Sequence, residues 1–402
     1  MNILVVTYWS LDDALIQAYT LPYLRIIKRI VGPKRKVFLF TVEKNLDKLS
    51  DEEIEKKKSK LEEEGIEWLY AKYYPFGLKA IFTNLFALIK LLKYIRKKQI
   101  STIHTWCTPA GGIGWLLSKL TSTKLILDSF EPHAEPMVEA KVWNKNSLAF
   151  RMLWWLEKQQ VKSADTVIAC VDEMKEYSLR KYGVRIKDFY SKPACVDMKL
   201  FQPGKCKDND LIRKYNLENK LVVVYAGKFG GSYLSQEIFD FFKICEDKWA
   251  DKFRVVLLNN HSREELEVLS QNSGFDFKKV VHAFVPHKEV PYYMGLGDFG
   301  LVPFVPVPSK RYGSPIKTGE YLSLGIPIII TPNISNDSAI AIDSDAGVIM
   351  EELNEDGYIK IVEEMERTLT QERVLLKKRI REIAVQYKSF EIAEKVYREV
   401  YR

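Results

Sequence analysis

The sequence predicts an α/β protein with two doubly wound parallel-sheet domains that face a cleft. Three observations lead to this expectation. The chain has 402 residues, more than one ordinary hydrophobic core organises. Short apolar runs alternate with helical segments in the first half, as in βαβ units. The same alternation restarts after a polar stretch near residue 203. Ligands bind beyond the carboxyl ends of the strands in such sheets, so the cleft is the expected site.

The strands of the first half are apolar runs of three to five residues, as expected for buried parallel strands. They lie at 3–6, 37–40, 68–70, 102–105, 125–128 and 166–170. Helical spacing covers 15–29, 50–65 and 78–98. In the second of these helices Ser50 and Glu53 form a capping-box pattern, and Gly65 ends the helix. We assign residues 1–203 to an N-terminal domain.

The second half repeats the pattern after a polar stretch at 201–220, which we interpret as a linker. Strands are predicted at 221–226, 254–258, 279–284, 299–302 and 326–331, and helices from 235, at 263–270 and at 319–324. We assign residues 204–385 to a C-terminal domain. A last helix at about 386–402 is expected to pack back on the N-terminal domain.

Composition narrows the class of protein. Hydrophobic residues make up 47% of the chain, which suits a folded enzyme. The net charge of +8 favours partners with phosphate or an anionic membrane face, and no spacing of a nucleic-acid-binding motif is present. Five cysteines without a C-x-x-C pair indicate a reducing compartment. The start MNILVVTYW is a strand pattern, and no apolar run approaches the ~20 residues of a membrane span. We expect a cytoplasmic protein, with peripheral attachment to the inner face of the cell membrane as an addition.

The most informative stretch is SPIKTGEYLSLGIPIIIT at 314–331. Pro315 suits the first position of a helix, whose N-terminus attracts phosphate. Lys317 and Glu320 are three apart and share a helical face, so the lysine can meet a diphosphate and the carboxylate can accept bonds from a ribose diol. The alternative from the residues alone is a surface salt bridge on an ordinary helix.

This stretch resembles the C-terminal signature of family 4 of the GT-B glycosyltransferases, which has a Pro, a Lys and a Glu before Gly-x-Pro and an apolar strand. The resemblance continues in VVHAFVPHKEVPYYMGLGDFGLVPF at 280–304, in VVVYAGKFGG at 222–231, and in TLPYLRIIKRI and VFLFTVEK near the N-terminus. It implies the GT-B fold, with two Rossmann-like domains. It also implies retaining transfer of a sugar from a UDP- or GDP-linked donor to a hydroxyl of a glycan or lipid-linked acceptor, in cell-surface polysaccharide biosynthesis. No cofactor or metal is expected.

The resemblance also implies roles for residues of the donor side. Glu320 corresponds to the ribose-binding carboxylate, and Lys317 and Lys228 correspond to catalytic contacts with the diphosphate. Other positions expected at the donor are Gly227, Phe284, Val285, Tyr312, Gly313, Ser314 and Pro315. The chain departs from the family at Tyr312, where a second glutamate is common, and after Lys228, where a second basic residue is common.

On the acceptor side, His133 in DSFEPHAEP resembles the family's N-terminal-domain histidine that reaches the transferred sugar, so we expect a catalytic role. Further polar and aromatic residues at predicted strand ends are expected near the acceptor: Trp9, Asp12, Asp13, His104 and Glu131.

Two questions stay open at this stage. The helix at 78–98 is either a buried helix with one wet, lysine-bearing stripe or an interfacial helix on an anionic bilayer. The function is either transfer, epimerisation of a nucleotide-sugar on the same fold, or non-catalytic binding of a nucleotide-sugar. A dehydrogenase is disfavoured because no G-x-G-x-x-G follows the first strand.

Overall fold

The computed structural model describes residues 2–75 and 78–402, with backbone alone for 78–82 and 84. The chain forms two compact units. The first runs from the N-terminus to Pro193 and includes Glu391–Arg402, and the second is Ala194–Phe390. The chain thus enters the second unit before residue 203, where the sequence analysis placed the boundary. Val196 and Phe201 are already buried in the core of the second unit.

The first unit contains a parallel sheet, which among the described residues has seven strands in the order β3-β2-β1-β4-β5-β6-β7. The strands are β1 Asn2–Val6, β2 Val37–Glu43, β3 Ile66–Lys72, β4 Ile100–Trp106, β5 Lys124–Asp128, β6 Thr166–Ala169 and β7 Phe189–Ser191. The α-helices are α1 Leu21–Val31, α2 Asp51–Glu63, α3 Leu78–Lys97, α4 Cys107–Thr121, α5 Ala134–Glu139, α6 Leu148–Ser163 and α7 Met174–Tyr177. The capping box of Ser50 and Glu53 is formed at the start of α2.

The second unit contains a parallel sheet of six strands in its described residues, in the order β10-β9-β8-β11-β12-β13. The strands are β8 Leu221–Ala226, β9 Phe253–Leu258, β10 Val280–Ala283, β11 Phe299–Val302, β12 Ile328–Ile330 and β13 Gly347–Ile349. The α-helices are α8 Asn209–Lys214, α9 Gln236–Trp249, α10 Arg263–Ser273, α11 Val290–Met294, α12 Ile316–Ser323, α13 Asp337–Asp343, α14 Glu355–Leu369 and α15 Arg373–Lys388. Two doubly wound parallel sheets confirm the predicted fold class.

The stretch 201–220 is not a linker, contrary to the prediction. It belongs to the second unit and contains α8, whose first turn is capped by the side chain of Asp208. Its polar residues cover the surface of that unit, while Phe201 and Leu217 are buried beneath them. A run of charged residues indicates exposure here, but exposure does not distinguish a linker from a covered edge.

The C-terminal helix α16, Phe390–Val400, returns the chain to the first unit through a buried polar cluster. Lys192 Nζ lies 3.2 Å from Asp128 Oδ1, and both side chains are fully buried. The Tyr397 hydroxyl donates to Asp128 Oδ2 at 2.6 Å. His104 contacts the same oxygen through Nε2 at 3.1 Å and the Tyr401 hydroxyl through Nδ1 at 2.6 Å.

The charge of Asp128 is stabilised by its neighbours. Burial alone would raise the pKa of this carboxyl, but the Lys192 ammonium and the hydrogen bonds with His104 and Tyr397 outweigh burial and hold the pKa well below its usual range. A carboxyl whose pKa is lowered on folding contributes stability above its unfolded pKa, and that contribution is lost as the pH falls.

Replacing Lys192 by Met should destabilise the protein by ~3–5 kcal/mol, because the carboxylate of Asp128 would stay buried without its cation. Urea unfolding followed by tryptophan fluorescence measures the change. The double variant Lys192→Met/Asp128→Asn should recover part of the loss, because the buried charge is then removed as well. A double variant as unstable as the single one would contradict this account.

Candidate functional site

The N-terminus of α12 lies in the second unit and has no side-chain cap. Pro315 is the N-cap residue, in extended conformation, so the helix begins one residue later than the sequence pattern suggested. The first amides of an uncapped helix lack partners within the helix and carry the positive end of its dipole. Most of the helix is buried, which is unusual for a segment with Lys317 and Glu320. An anion is the natural partner for such a terminus.

The side chain of Lys317 is 9% exposed and extends among aromatic rings. Its Nζ lies 4.4 Å from the ring centroid of Tyr233, 4.6 Å from that of Tyr225 and 5.9 Å from that of Phe304. No hydrogen-bond acceptor reaches this buried nitrogen in the described part of the chain. A Cβ at Gly227 would come within 2.3 Å of it and within 2.9 Å of the Tyr225 hydroxyl, and the φ of 158° there also favours glycine.

This environment disfavours the protonated amine. Burial lowers the pKa of Lys317 to about 7, and the nearby charge of Glu320 opposes that shift only in part. The faces of the three rings attract the cation. They do not replace a hydrogen-bonded anion, however, so the amine has unused capacity to donate.

Glu320 lies one turn after Lys317 and is 8% exposed. The His287 ring lies beside it, with Nε2 3.8 Å from Oε1 of the carboxylate, beyond hydrogen-bond distance. That ring nitrogen is buried and also lacks a hydrogen-bond partner among the described residues. A buried carboxylate and a buried imidazole nitrogen therefore lie side by side with unfilled hydrogen-bonding capacity.

The sequence analysis assigned no role to His287, so its proximity to Glu320 was missed. The signal was present, since His287 lies in the loop at the carboxyl end of β10, where ligands of such sheets bind. Phe284 and Val285 belong to the same loop. The Phe284 side chain is 77% exposed, and Val285 is half-buried.

The loop before α12 is held by hydrogen bonds within the second unit. Ser314 Oγ accepts from the Ala194 amide at 3.1 Å and from Lys388 Nζ at 3.0 Å. Lys388 also pairs with Asp337, and both are buried. The sequence predicts that Ser314 offers its backbone amide to the donor, and that stays a prediction, while its side chain is engaged in this network. Lys388 and Asp337 were not anticipated, because they follow Ser314 at long separation.

The other donor-side positions differ in their burial and in their contacts. The Gly313 amide donates to the Lys310 carbonyl at 3.3 Å, which closes the turn. Tyr312 is buried, with the Arg311 guanidinium 5.8 Å from its ring centroid. Lys228 is exposed on the glycine-rich turn, whose Gly230 and Gly231 have φ of 81° and 64°. That left-handed conformation favours glycine.

His133, in the first unit, precedes α5 as its N-cap residue. Its amide and that of Ala134 donate to Oε1 of Glu157 at 2.6 and 2.9 Å. Its Nδ1 lies 3.0 Å from the carbonyl oxygen of Glu131. Glu157 is fully buried and was not predicted from the sequence. Burial raises its pKa although these amides lower it. The backbone at His133 is therefore fixed from beneath, with its ring half-buried.

The remaining acceptor-side predictions fare differently. His104 is fully buried, and both ring nitrogens are engaged by Asp128 and Tyr401, so the structure places it in the core rather than at a binding surface. The helix that covers His104, α16, is remote in sequence. A polar residue at the end of a strand was therefore taken for a binding residue, although it is buried.

The loop after β1 has its polar groups paired locally. Asp12 forms an ion pair with Lys57, and Asp13 Oδ1 accepts from the Leu15 amide at 2.9 Å. Trp9 is half-buried. A residue that the sequence did not single out, Glu43, is buried and accepts from the Leu11 amide at 2.9 Å, which anchors the loop.

The described residues contain no cluster of three or more His, Cys, Asp or Glu side chains arranged to hold a metal ion. None of their helices combines the length and the apolar character that a bilayer crossing requires.

Comparison with known proteins places this architecture. Residues 36–188, within the first unit, match the family model described as glycosyl transferase 4-like domain. No curated protein matches the chain by sequence. Among solved structures, sucrose-phosphate synthase from Thermosynechococcus elongatus is similar over 100% of this chain and 99% of its own, with a TM-score of 0.73 and 16% identity.

Two further structures agree. Anabaena HepE, solved in complex with UDP-glucose, covers 100% of this chain and 99% of its own at a TM-score of 0.73 and 13% identity. WaaG, a glycosyltransferase involved in lipopolysaccharide biosynthesis, covers 99% and 98% at a TM-score of 0.69 and 13% identity. These likenesses confirm the GT-B fold expected from the sequence. The chain therefore has the GT-B fold, and residues 36–188 of its first unit are similar to the glycosyl transferase 4-like domain.

Proposed function

We propose that the protein transfers a sugar from a UDP- or GDP-linked donor to a hydroxyl of a glycan or lipid-linked acceptor, with retention of configuration and without a metal ion, in the synthesis of a cell-surface polysaccharide. The observation that carries the donor half of this proposal is the Lys317 amine. It is buried without a hydrogen-bond partner beside an uncapped helix N-terminus, with Glu320 one turn further on.

The diphosphate would bind at the N-terminus of α12. There it would meet the first backbone amides of the helix and the Lys317 amine, and Lys228 on the exposed glycine-rich turn would add a second charge. Positive groups that are fixed before the reaction stabilise the charge that develops on the leaving diphosphate. This supplies, from the chain's own residues, the stabilisation that a metal ion supplies in other enzymes.

The nucleoside would extend from the diphosphate toward the carboxyl end of β10. The Glu320 carboxylate can accept two hydrogen bonds from a ribose diol, and the His287 ring beside it limits where that carboxylate can lie. The exposed Phe284 ring would give the base an apolar surface. A UDP-linked donor has the additional support that HepE, with the same fold, was solved with UDP-glucose.

His133 would act on the sugar as a catalytic residue, as the family resemblance implies. Glu157 would be a positioning residue, since it holds the backbone amides of His133 and Ala134 rather than a ring nitrogen. Retention and the acceptor class also come from the resemblance. An anionic membrane surface as a partner is proposed from the basic helix α3.

A thermal-shift screen against UDP, GDP, ADP and their sugars tests the donor half. A ligand that binds only the folded state raises the melting temperature by mass action. We expect UDP or GDP to raise it, and the matching sugar nucleotide to be transferred or slowly hydrolysed. Conversion of UDP-N-acetylglucosamine without an acceptor would instead indicate an epimerase. Binding without any turnover would favour a non-catalytic protein, and no shift with any nucleotide would sink the proposal.

Removing either charged group of α12 should weaken nucleotide binding. Glu320→Gln and Lys317→Met should each lower UDP or GDP affinity by about tenfold or more, the size of a lost charge-assisted hydrogen bond of ~1–3 kcal/mol. Calorimetry measures the affinity. Glu264→Gln and Lys278→Met, at exposed positions of the same unit, are matched controls and should bind as the wild type does. Unchanged affinity in the α12 variants would contradict the assignment.

Lys317→Met should stabilise the ligand-free protein while it weakens binding. The pKa of Lys317 is about 7 in the folded protein against 10.5 ordinarily, so unfolding takes up a proton between those values and wild-type stability rises with pH there. The gain from the variant should be largest at or below about pH 7 and shrink as the pH rises toward the ordinary lysine value. Thermal unfolding over this pH range measures it. A gain that does not vary with pH would count against the buried, unpaired amine.

Nucleotide binding should take up protons at Lys317, because a diphosphate at the amine favours its charged form. Calorimetry of UDP or GDP at about pH 8, in buffers with different ionisation enthalpies, measures the number of protons. Lys317→Arg retains a charge that does not titrate, so the uptake should disappear, whereas Lys228→Arg should leave it unchanged. Equal heats in all buffers would contradict proton uptake without disproving nucleotide binding.

A further inference from the structure

Three helices form one layer against the sheet of the first unit. Helix α4 packs against both α3 and α6. The contact with α6 is close, since a Cβ at Gly112 would lie 2.9 Å from a methyl carbon of Leu156. The rings of Trp115 and Trp155 meet edge to face with their centroids 5.6 Å apart. The outward side of α3, α4 and α6 is therefore one continuous surface, which we call the α3–α4–α6 face.

Large apolar side chains are exposed across the whole of this face. In the described residues they lie between 37% and 73% exposed, and they are Leu85, Phe86, Ile89, Leu116, Leu120, Leu148, Met152 and Trp155. Within each helix they are spaced by three or four residues and so point to the same side. Scattered apolar residues are normal on a protein surface, but a contiguous set over three helices marks an interaction surface.

The sequence left open whether α3 is a buried helix with one wet stripe or an interfacial helix. Leu91 and Ile95 are buried, so one side of α3 packs on the protein, as a helix covering a sheet should. Leu85, Phe86 and Ile89 are nevertheless exposed on its other side. A helix that only covered a sheet would carry polar residues there. Lys79, which belongs to the lysine stripe expected from the sequence, has a side chain outside the described part of the structure.

The exposed charges of these three helices have one sign, and the neighbouring carboxylates, Glu55 and Glu62 of α2, lie at the edge of the face beside Phe86 and Lys90. Exposed cations accompany the apolar residues, namely Lys90, Lys93, Arg96, Lys97, Lys119, Arg151 and Lys162. The sequences of α3, α4 and α6 contain one acidic residue, Glu157. That residue is fully buried and accepts from the amides of His133 and Ala134 and from the Tyr182 hydroxyl. No carboxylate of these helices therefore offsets the cations at the surface.

Apolar residues surrounded by cations match an anionic bilayer better than a free anion. Phosphate alone would satisfy the lysines and leave Phe86 and Leu148 in water. A bilayer satisfies both, because phosphates of the headgroups lie above the acyl chains. Trp155, half exposed at the middle of the face, is of the type that concentrates at the level of the headgroups.

We propose that the α3–α4–α6 face binds the surface of an anionic lipid bilayer, with its apolar side chains at the headgroup boundary and its lysines and arginines on lipid phosphates. This inference does not depend on the donor site, which lies in the other unit. It gives the membrane partner a defined surface, much wider than the single helix that the sequence suggested.

Flotation with vesicles tests the proposal. The wild type should float with vesicles of phosphatidylglycerol and phosphatidylcholine and remain behind with phosphatidylcholine alone. Leu148→Glu/Met152→Glu adds two acidic groups at exposed positions of the face and should lower the bound fraction at least tenfold. Val268→Glu/Val374→Glu, at sites 54% and 71% exposed in the second unit, carries the same charge change and should float as the wild type does.

A second measurement reports contact directly. Lipids brominated near the headgroup should quench the tryptophan fluorescence of the wild type, and Trp155→Phe should remove most of the quenching while the protein still floats. UDP or GDP binding, measured in parallel, should be unchanged in every variant and shows that the protein is folded.

Three results would overturn the proposal: no flotation of the wild type, equal flotation of the acidic double variant, or equal quenching without Trp155. Light scattering distinguishes membrane binding from self-association through the same surface. A dimer that the face variants dissociate, with no vesicle binding, would assign the face to self-association instead.

Discussion

The second unit of this molecule is arranged around one constraint: the amine of Lys317 is kept inside the protein, with no hydrogen-bond acceptor from the described residues. Burial lowers its pKa, and three aromatic rings and a missing side chain at Gly227 make the space that contains it. Buried polar groups without a hydrogen-bond partner are few in folded proteins, and each needs an explanation. Most of the second unit can be understood as the support for this amine, since α12 positions it and β8 provides Tyr225 and leads to Gly227.

A second set of contacts fixes the loop that leads into α12. Lys388 joins Ser314 to Asp337 through buried contacts, and the Ala194 amide also bonds to Ser314. Ala194 begins the second unit, and Lys388 lies two residues before its last residue, Phe390. The loop that leads into α12 is thus fixed to both ends of the unit to which it belongs. If this loop could move, the amine of Lys317 would lose its fixed position. Electrostatic stabilisation depends on groups that are in place beforehand.

Sequence reasoning predicted the strands well, because a parallel strand buried on both sides is a continuous apolar run. It missed β7, whose residues Phe189, Tyr190 and Ser191 are only half-buried, and β13, a three-residue strand of which Val348 alone is buried. Lys317 and Glu320 were singled out because a separation of three positions on one helix is a local signal in the sequence. The rings around Lys317 were not, since Tyr225, Tyr233 and Phe304 come from separate segments. His104 was misread for the same reason, because Tyr401, which contacts it, lies 297 residues away.

The return of α16 to the first unit makes the second unit an insertion within the first. During synthesis the strands of the first sheet leave the ribosome before the second unit, but Tyr397 and Tyr401, which complete the bonding of Asp128 and His104, leave it after that unit. The first unit must therefore wait, with a buried ion pair still open on one side, while the whole of the second unit is made. Domains generally fold as units during synthesis, in order from the N-terminus. In this chain the unit that starts first can be completed only after the second unit has been made.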